Sequence, residues 1–167
     1  KCDYISMDNL ESSPIGDILC VHPSQNSTYY FGASSGLTRM TFTPNGVDTK
    51  QFSRKDGLAN DMIHGILEDE EGCVWLSTNK GLAKYNPHNN FFHNYDYADL
   101  KVVEFSDDAY WKCPETNRMF FGGINGLVWI DPQTSNKDFY RPDLRFFELN
   151  MGDETFDLLD YTENKSD

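Results

Sequence analysis

YFGASSGLTRM (residues 30–40), WLSTNKGLAKY (75–85) and FFGGINGLVWI (120–130) align with one another without a gap. Their Gly-Leu pairs, at Gly36, Gly81 and Gly126, recur at an interval of 45 residues. The aromatics Tyr30, Trp75 and Phe120 keep the same interval, and so do the apolar residues Val21, Ile66 and Trp111. Three columns in one register mark an internal repeat, the pattern that decides a fold before any single element does. The competing reading is an ordinary sandwich with coincidental Gly-Leu spacing.

Each period reads as short apolar strands separated by turn signals, which selects sheet over helix. In the middle period MIHGILEDE is a strand, EEG a turn, CVWLST a second strand, NKG a second turn, GLAKYNP a third strand and NFFHNYD a fourth. Thr43-Pro44-Asn45-Gly46 and Asp131-Pro132 close the third strand in the flanking periods. Strands apolar on both faces, as at Ile63, Ile66, Leu67, Val74, Trp75 and Leu76, suit sheets packed between neighbours. A four-stranded repeat of about 40–45 residues is the signature of a propeller blade, whereas solenoid repeats of that length are helical. The expected fold is all-β: a partial β-propeller of about three four-stranded antiparallel blades, at residues 15–58, 59–100 and 101–141. Gly36, Gly81 and Gly126 each follow a polar residue at a tight turn and are expected at positive φ, which only a residue without Cβ adopts cheaply.

Closed propellers have about 4–8 blades, so three repeats describe an open piece. Residues 1–14 are expected to end a preceding blade, because KCDYISMDNL can be laid over HNYDYADL. An open piece exposes sheet faces, and a homo-oligomer is the expected consequence.

The chain has 167 residues and 19.2 kDa, and its 12 Phe, 9 Tyr and 3 Trp are enough to build a core. Fourteen basic against 27 acidic residues give a net charge of −13, which repels phosphate backbones and argues against nucleic acid as a partner. No apolar run reaches the roughly 18–20 residues that span a bilayer, so direct membrane insertion is not expected. KCDYISMDNLES lacks the basic-then-apolar order of a signal peptide. Cys2, Cys20, Cys73 and Cys113 form no CxxC pair, so no zinc site and no cofactor is expected. Their even number permits a disulfide, and nothing else argues for one.

DGLANDMIHGILEDEEGCVWLSTNKGLAKYNP (residues 56–87) resembles the repeat of two-component regulator propellers: Asn or Ser before an apolar strand, an acidic-Gly turn, Trp, Thr or Ser, then Gly-Leu. The flanking repeats replace the Trp with Tyr30 and Phe120, and the third offers Pro114-Glu115-Thr116-Asn117 in place of the acidic turn. FYRPDLRFFELNMGDETFD (139–157) looks like the crossing from such a propeller into the β-sandwich that follows it, so residues 142–167 are expected to start that domain. The alternative for them is a frayed tail, since from Asn150 to Asp167 there are six acids and one Lys. The resemblance implies the periplasmic sensor region of a hybrid histidine kinase that controls glycan-utilisation genes, with the rest of the propeller and the β-sandwich as its partners.

Candidate chemistry is sparse. His22, His64, His88 and His93 do not recur at one repeat position and read as surface or filler residues, not metal ligands. Asp107-Asp108 and Asp69-Glu70-Glu71 lack the alternating acids of a calcium loop and read as hairpin turns. Glu68, Glu70, Gly72 and Trp75 resemble the Asp-box of sialidase propellers, with Glu in place of Ser and Asp; that box is a structural turn. A sialidase would need three convergent arginines, and Arg39, Arg54, Arg118, Arg141 and Arg145 fall at unrelated points of the repeat. No enzyme is expected. In a propeller the loops joining strands two and three share a face with those joining blades. That face would collect Ser34, Ser35, Asn79, Lys80 and Asn125 from the first kind, with Arg54, Asn60, Asp61, Tyr97 and Asp99 from the second. Amides, hydroxyls and an aromatic ring suit an oligosaccharide. The function expected is a non-catalytic carbohydrate sensor; the alternatives are a protein-interaction propeller without a small ligand and a fragment of a propeller glycoside hydrolase.

Overall fold

The computed structural model describes residues 15–102, 104–135, 148–151 and 154–157. They belong to two units divided between Ser135 and Asn136. In the first unit, β1 (Ile18–Pro23), β2 (Thr28–Ala33), β3 (Gly36–Thr43) and β4 (Gly46–Phe52) form a four-stranded antiparallel sheet in sequence order. A 3-10 turn at Arg54–Asp56 leads into a second such sheet, of β5 (Ile63–Glu68), β6 (Val74–Thr78), β7 (Gly81–Asn86) and β8 (Phe91–Tyr95). After the short helix α1 (Tyr97–Leu100) come β9 (Phe105–Lys112), β10 (Met119–Gly123) and β11 (Gly126–Ile130), then α2 (Pro132–Ser135). The all-β, blade-like reading holds. The fourth strand expected in the third sheet, and residues 1–14, lie outside the described residues.

The repeat is exact in register across the second and third strands, while the first strand of the third sheet is shifted by one residue: Trp111, not Lys112, faces Phe120. Tyr30 faces Arg39, Trp75 faces Lys84 and Phe120 faces Trp129 across the second and third strands of the three sheets. The middle sheet is covered on both sides. Its β6 is buried at every position, which is why CVWLST shows no polar alternation. One core joins it to the first sheet through Tyr30, Leu37, Phe52, Ile63, Leu76 and Tyr85; another joins it to the third through Trp75, Leu82, Phe105, Met119 and Phe121. Phe52, Tyr85 and Phe92 pack with ring centroids 4.8–5.7 Å apart, within the range of favourable aromatic pairs.

Gly36 and Gly81 stand at φ +122° and +90°, as expected, and for a second reason as well: a Cβ there would come within 2.1 Å of Phe52 O and 1.9 Å of Tyr95 O on the fourth strand. Gly126 departs from the expectation. It is not in the left-handed region, and among the described residues the nearest atom to its would-be Cβ is Val102 Cγ2 at 3.3 Å. Asp107-Asp108 also departs: these residues lie within β9, not in a turn, and Asp108 at φ +57° marks the irregularity where the β9–β10 register shifts.

Cys20, Cys73 and Cys113 are free thiols, and burial pushes Cys20 up to about 12, so it is an inert apolar filler. In the second unit β12 (Glu148–Met151) pairs antiparallel with β13 (Glu154–Asp157), around the Gly-Asp at 152–153. Strand thus occupies part of the stretch whose charge suggested fraying; the rest lies outside the described residues.

Candidate functional site

The loops named by the sequence converge on one end of the sheets because the second-to-third-strand turns bond to the segments that enter the innermost strands. Ser34 N donates to Asp17 O at 3.0 Å, Ser34 Oγ accepts from Asp17 N at 3.1 Å, and Ser35 Oγ accepts from Gly16 N at 2.7 Å. Ile124 N donates to Glu104 O at 3.1 Å in the third sheet. In the middle sheet a side chain does this work: His64 Nε2, on β5, lies 2.7 Å from Asn79 Oδ1. His64 Nδ1 donates to Asp107 Oδ1 at 2.6 Å, so the same ring ties the middle sheet to β9 of the third.

The loop from Ser53 to Met62 is preorganised by its own acids. Ser53 caps the 3-10 turn in a capping box with Asp56, whose Oδ2 accepts from Ser53 N at 2.8 Å. Asp61 Oδ1 accepts from Arg54 N at 2.7 Å, and Asn60 Oδ1 from Met62 N at 2.8 Å. Asn94 on β8 clamps the loop, its Nδ2 donating to Gly57 O at 2.8 Å and its Oδ1 accepting from Ala59 N at 3.1 Å. A cleft of 670 Å³ lies against this loop, lined by Ser53, Arg54, Lys55, Leu58, Ala59 and Asp61.

Of the residues named from the sequence, Arg54 and Asp61 are brought together in this cleft, with Asn60 in the same loop holding backbone. Asn79 and Lys80 sit exposed on the β6–β7 turn, where buried Thr78 Oγ1 accepts from Lys80 N at 3.0 Å. Asn125 is exposed on the β10–β11 turn. Asp99 Oδ2 accepts from Asp96 N at 3.1 Å, a capping role; Tyr97 contributes backbone to α1. Sequence reading missed His64 and Asp107. Asp107 comes from the next blade, 43 residues along, and no motif spacing announces that pairing.

Asp69-Glu70-Glu71 is the hairpin turn its sequence announces, with Gly72 N donating to Asp69 O at 3.1 Å. Asp69, not Glu68 or Glu70, is its centre: Oδ1 accepts from Glu71 N at 3.0 Å and Cys73 N at 2.8 Å, Oδ2 accepts from Trp75 Nε1 at 3.1 Å, and Lys84 Nζ lies 3.3 Å away. The Lys84 ammonium also sits 5.0 Å above the Trp75 ring. Asp69, Glu71 and Cys73 gather ligand atoms within 4.8 Å of one another, but the Asp69 carboxylate is already spent on four donors and burial pushes the Cys73 thiol up. The cluster is a structural turn.

Residues 57–80 match the two-component regulator propeller repeat. Histidine kinase P4 of Formosa agariphila is 29% identical over 101 residues, which make up 60% of this chain and 7% of that protein. The extracellular domain of the hybrid two-component system BT3049 from B. thetaiotaomicron superposes with a TM-score of 0.63 at 28% identity, over 71% of this chain and 16% of that domain. The extracellular domain of a second system from the same organism, BT4673, gives a TM-score of 0.59 at 16% identity over 78% of this chain and 18% of its own, a likeness of fold. The chain thus carries the two-component regulator propeller repeat, in the propeller fold that these hybrid two-component systems use for their extracellular domains.

Proposed function

We propose that the chain is a non-catalytic part of a periplasmic sensor propeller that binds a carbohydrate and signals to a histidine kinase. The observation that carries this reading is the 28% identity, over 71% of the chain, to the extracellular domain of a hybrid two-component system. The geometry supports a binding face. Loops of two kinds meet at one end of the sheets, their backbone is fixed by Ser34, Ser35, Asp56, Asp61 and Asn94, and exposed amides at Asn79 and Asn125 stand beside the 670 Å³ cleft's end of the sheets. A sugar needs such preset hydrogen-bonding groups, because ordering them on binding would subtract from affinity. Signalling follows if ligand shifts the population between two receptor arrangements, which requires only differential affinity. The 139–157 stretch is the proposed crossing into a β-sandwich.

Calorimetry with a panel of neutral oligosaccharides tests this. At least one should bind, and Asn79→Ala and Asn125→Ala should weaken it without unfolding the chain. A panel without binders, or affinity unchanged in both variants, would contradict the site.

A second reading concerns protein partners. Ile18, Val21, Trp111 and Trp129 are 44%, 49%, 56% and 56% exposed, a density of large apolar side chains that suits burial against further propeller or a second copy.

A further inference from the structure

At the end of the sheets opposite the loop face, the first blade lacks the charge cluster that closes the second. Leu67, Asp69, Trp75 and Lys84 stand 45 residues after His22, Ser24, Tyr30 and Arg39. The register confirms the equivalence: His22 faces Tyr30 as Leu67 faces Trp75, and Tyr30 faces Arg39 as Trp75 faces Lys84. In the second blade the cation has its anion built in, with Lys84 Nζ 3.3 Å from Asp69 Oδ2. In the first, a serine stands where the aspartate would be, while the cation is kept as Arg39.

Arg39 makes no ion pair among the described residues. It lies near the Tyr85 hydroxyl, which donates to Asn90 Oδ1 at 2.8 Å. Beside it opens a cavity of 360 Å³, lined by Ser24, Thr28, Tyr30, Arg39, Thr41 and His88 among others. That volume is within the range of about 300–1,000 Å³ typical of small-molecule sites. Burial pushes Tyr30 up to about 12, so its phenol is a neutral hydrogen-bonding group there.

The far wall is acidic, and the hydrogen bonds its acids accept come from groups that leave their charge in place. Glu68 Oε2 lies 3.5 Å from His22 Nε2, while Glu70 accepts from Asn117 Nδ2 at 2.5 Å and Gln133 Nε2 at 3.4 Å. Glu71 remains exposed at the rim. Such a wall keeps its negative charge, so it turns away polyanions and favours a ligand that brings an ammonium beside its carboxylate, while Arg39, without an ion pair among the described residues, is placed to take that single carboxylate, the anion that guanidinium geometry fits best.

We propose that this cavity is a binding site for a monosaccharide-sized monocarboxylate, a sugar acid or an amino acid, whose carboxylate takes at Arg39 the place that Asp69 takes at Lys84. The bond formed is a charge-assisted hydrogen-bonded pair; nothing covalent changes.

The test is a titration of the ¹⁵N-labelled full chain, followed by NMR, with galacturonate, alanine, galactose and inorganic sulfate in separate arms. The expected result is saturable shifts at residues 24–30 and at the Arg39 side chain with galacturonate or alanine at millimolar concentration, and none with galactose or sulfate; which acid acts identifies the source. Ser24→Asp should supply the missing carboxylate internally and abolish binding while keeping the fold, and Arg39→Gln should weaken binding at least about tenfold. If Arg39→Gln does not fold, Ser24→Asp decides alone. Absence of shifts with both acids, equal shifts with sulfate, or undiminished binding in Ser24→Asp would overturn the proposal.

Discussion

Trp75 Nε1 donates a 3.1 Å hydrogen bond to Asp69 Oδ2, so a fully buried aromatic of the middle blade is anchored to the turn that precedes its own strand. The same carboxylate neutralises Lys84, which is only 4% exposed. One acid therefore satisfies an indole, two backbone N–H groups and a buried ammonium. Asp69→Ala removes an acceptor from all four at once and should destabilise the chain by about 3–5 kcal/mol. Urea denaturation read by Trp fluorescence would measure this; a loss below about 1 kcal/mol would mean that water replaces the carboxylate.

The glycines of the repeat should split into two kinds. Gly81→Ala places a Cβ 1.9 Å from Tyr95 O in a left-handed conformation, so a loss of about 2–4 kcal/mol is expected. Gly126→Ala has no positive φ to strain and, among the described residues, meets only Val102 Cγ2 at 3.3 Å, so it should stay within about 1 kcal/mol of the parent. Thermal melts of the pair check this, and equal losses would contradict the structural distinction.

His22 sets a pH dependence. Burial lowers its pKa from 6.5, against the opposing pull of Glu68 and with help from Lys112. The unfolded chain thus binds a proton more readily than the folded one. The stability His22 contributes is present above pH 6.5 and is lost as pH falls through the depressed folded value. The stability difference between pH 7.5 and 5.5, measured by urea titration, should shrink in His22→Gln; an unchanged difference would assign the acid sensitivity elsewhere.

Val21 and Trp111 are exposed on the innermost strands of the outer sheets, although the 45-residue column they share is not kept in register: Val21 faces Phe31, whereas Trp111 faces Phe120, the position His22 holds opposite Tyr30. Light scattering of the purified chain should give a mass near twice 19.2 kDa or more. Val21→Glu together with Trp111→Glu should return it to monomer, and a parent that is already monomeric would remove the self-association reading.

The repeat was legible because its period fixes strand order, register and core together: Tyr30, Trp75 and Phe120 share a column, and the structure places each opposite the same column of partners. Functional detail was less legible. The hairpin at Asp69-Glu70-Glu71 was legible, but likening it to a box through Glu68 and Glu70 missed Asp69 as the anchor of Trp75, although Asp69 with Gly72 and Trp75 spaced three apart carries the signal: a carboxylate before a tight turn and an indole on the strand that returns. Gly126 shares the Gly-Leu column, yet its φ is not positive, and no carbonyl among the described residues crowds it as Phe52 O and Tyr95 O crowd Gly36 and Gly81. The His64–Asp107 bond joins two blades, and single-strand periodicity carries no information about which side chains meet across blades.

The central claim is that the loop face at Arg54–Asp61 and Asn79 binds a neutral carbohydrate. Its most direct test is amide shift mapping on the ¹⁵N-labelled chain during titration with the oligosaccharide that calorimetry selects. The account predicts saturable shifts concentrated at residues 53–62, 79–80 and 124–125. Shifts confined to the turns at the opposite end of the sheets, or none with any neutral glycan, would contradict it.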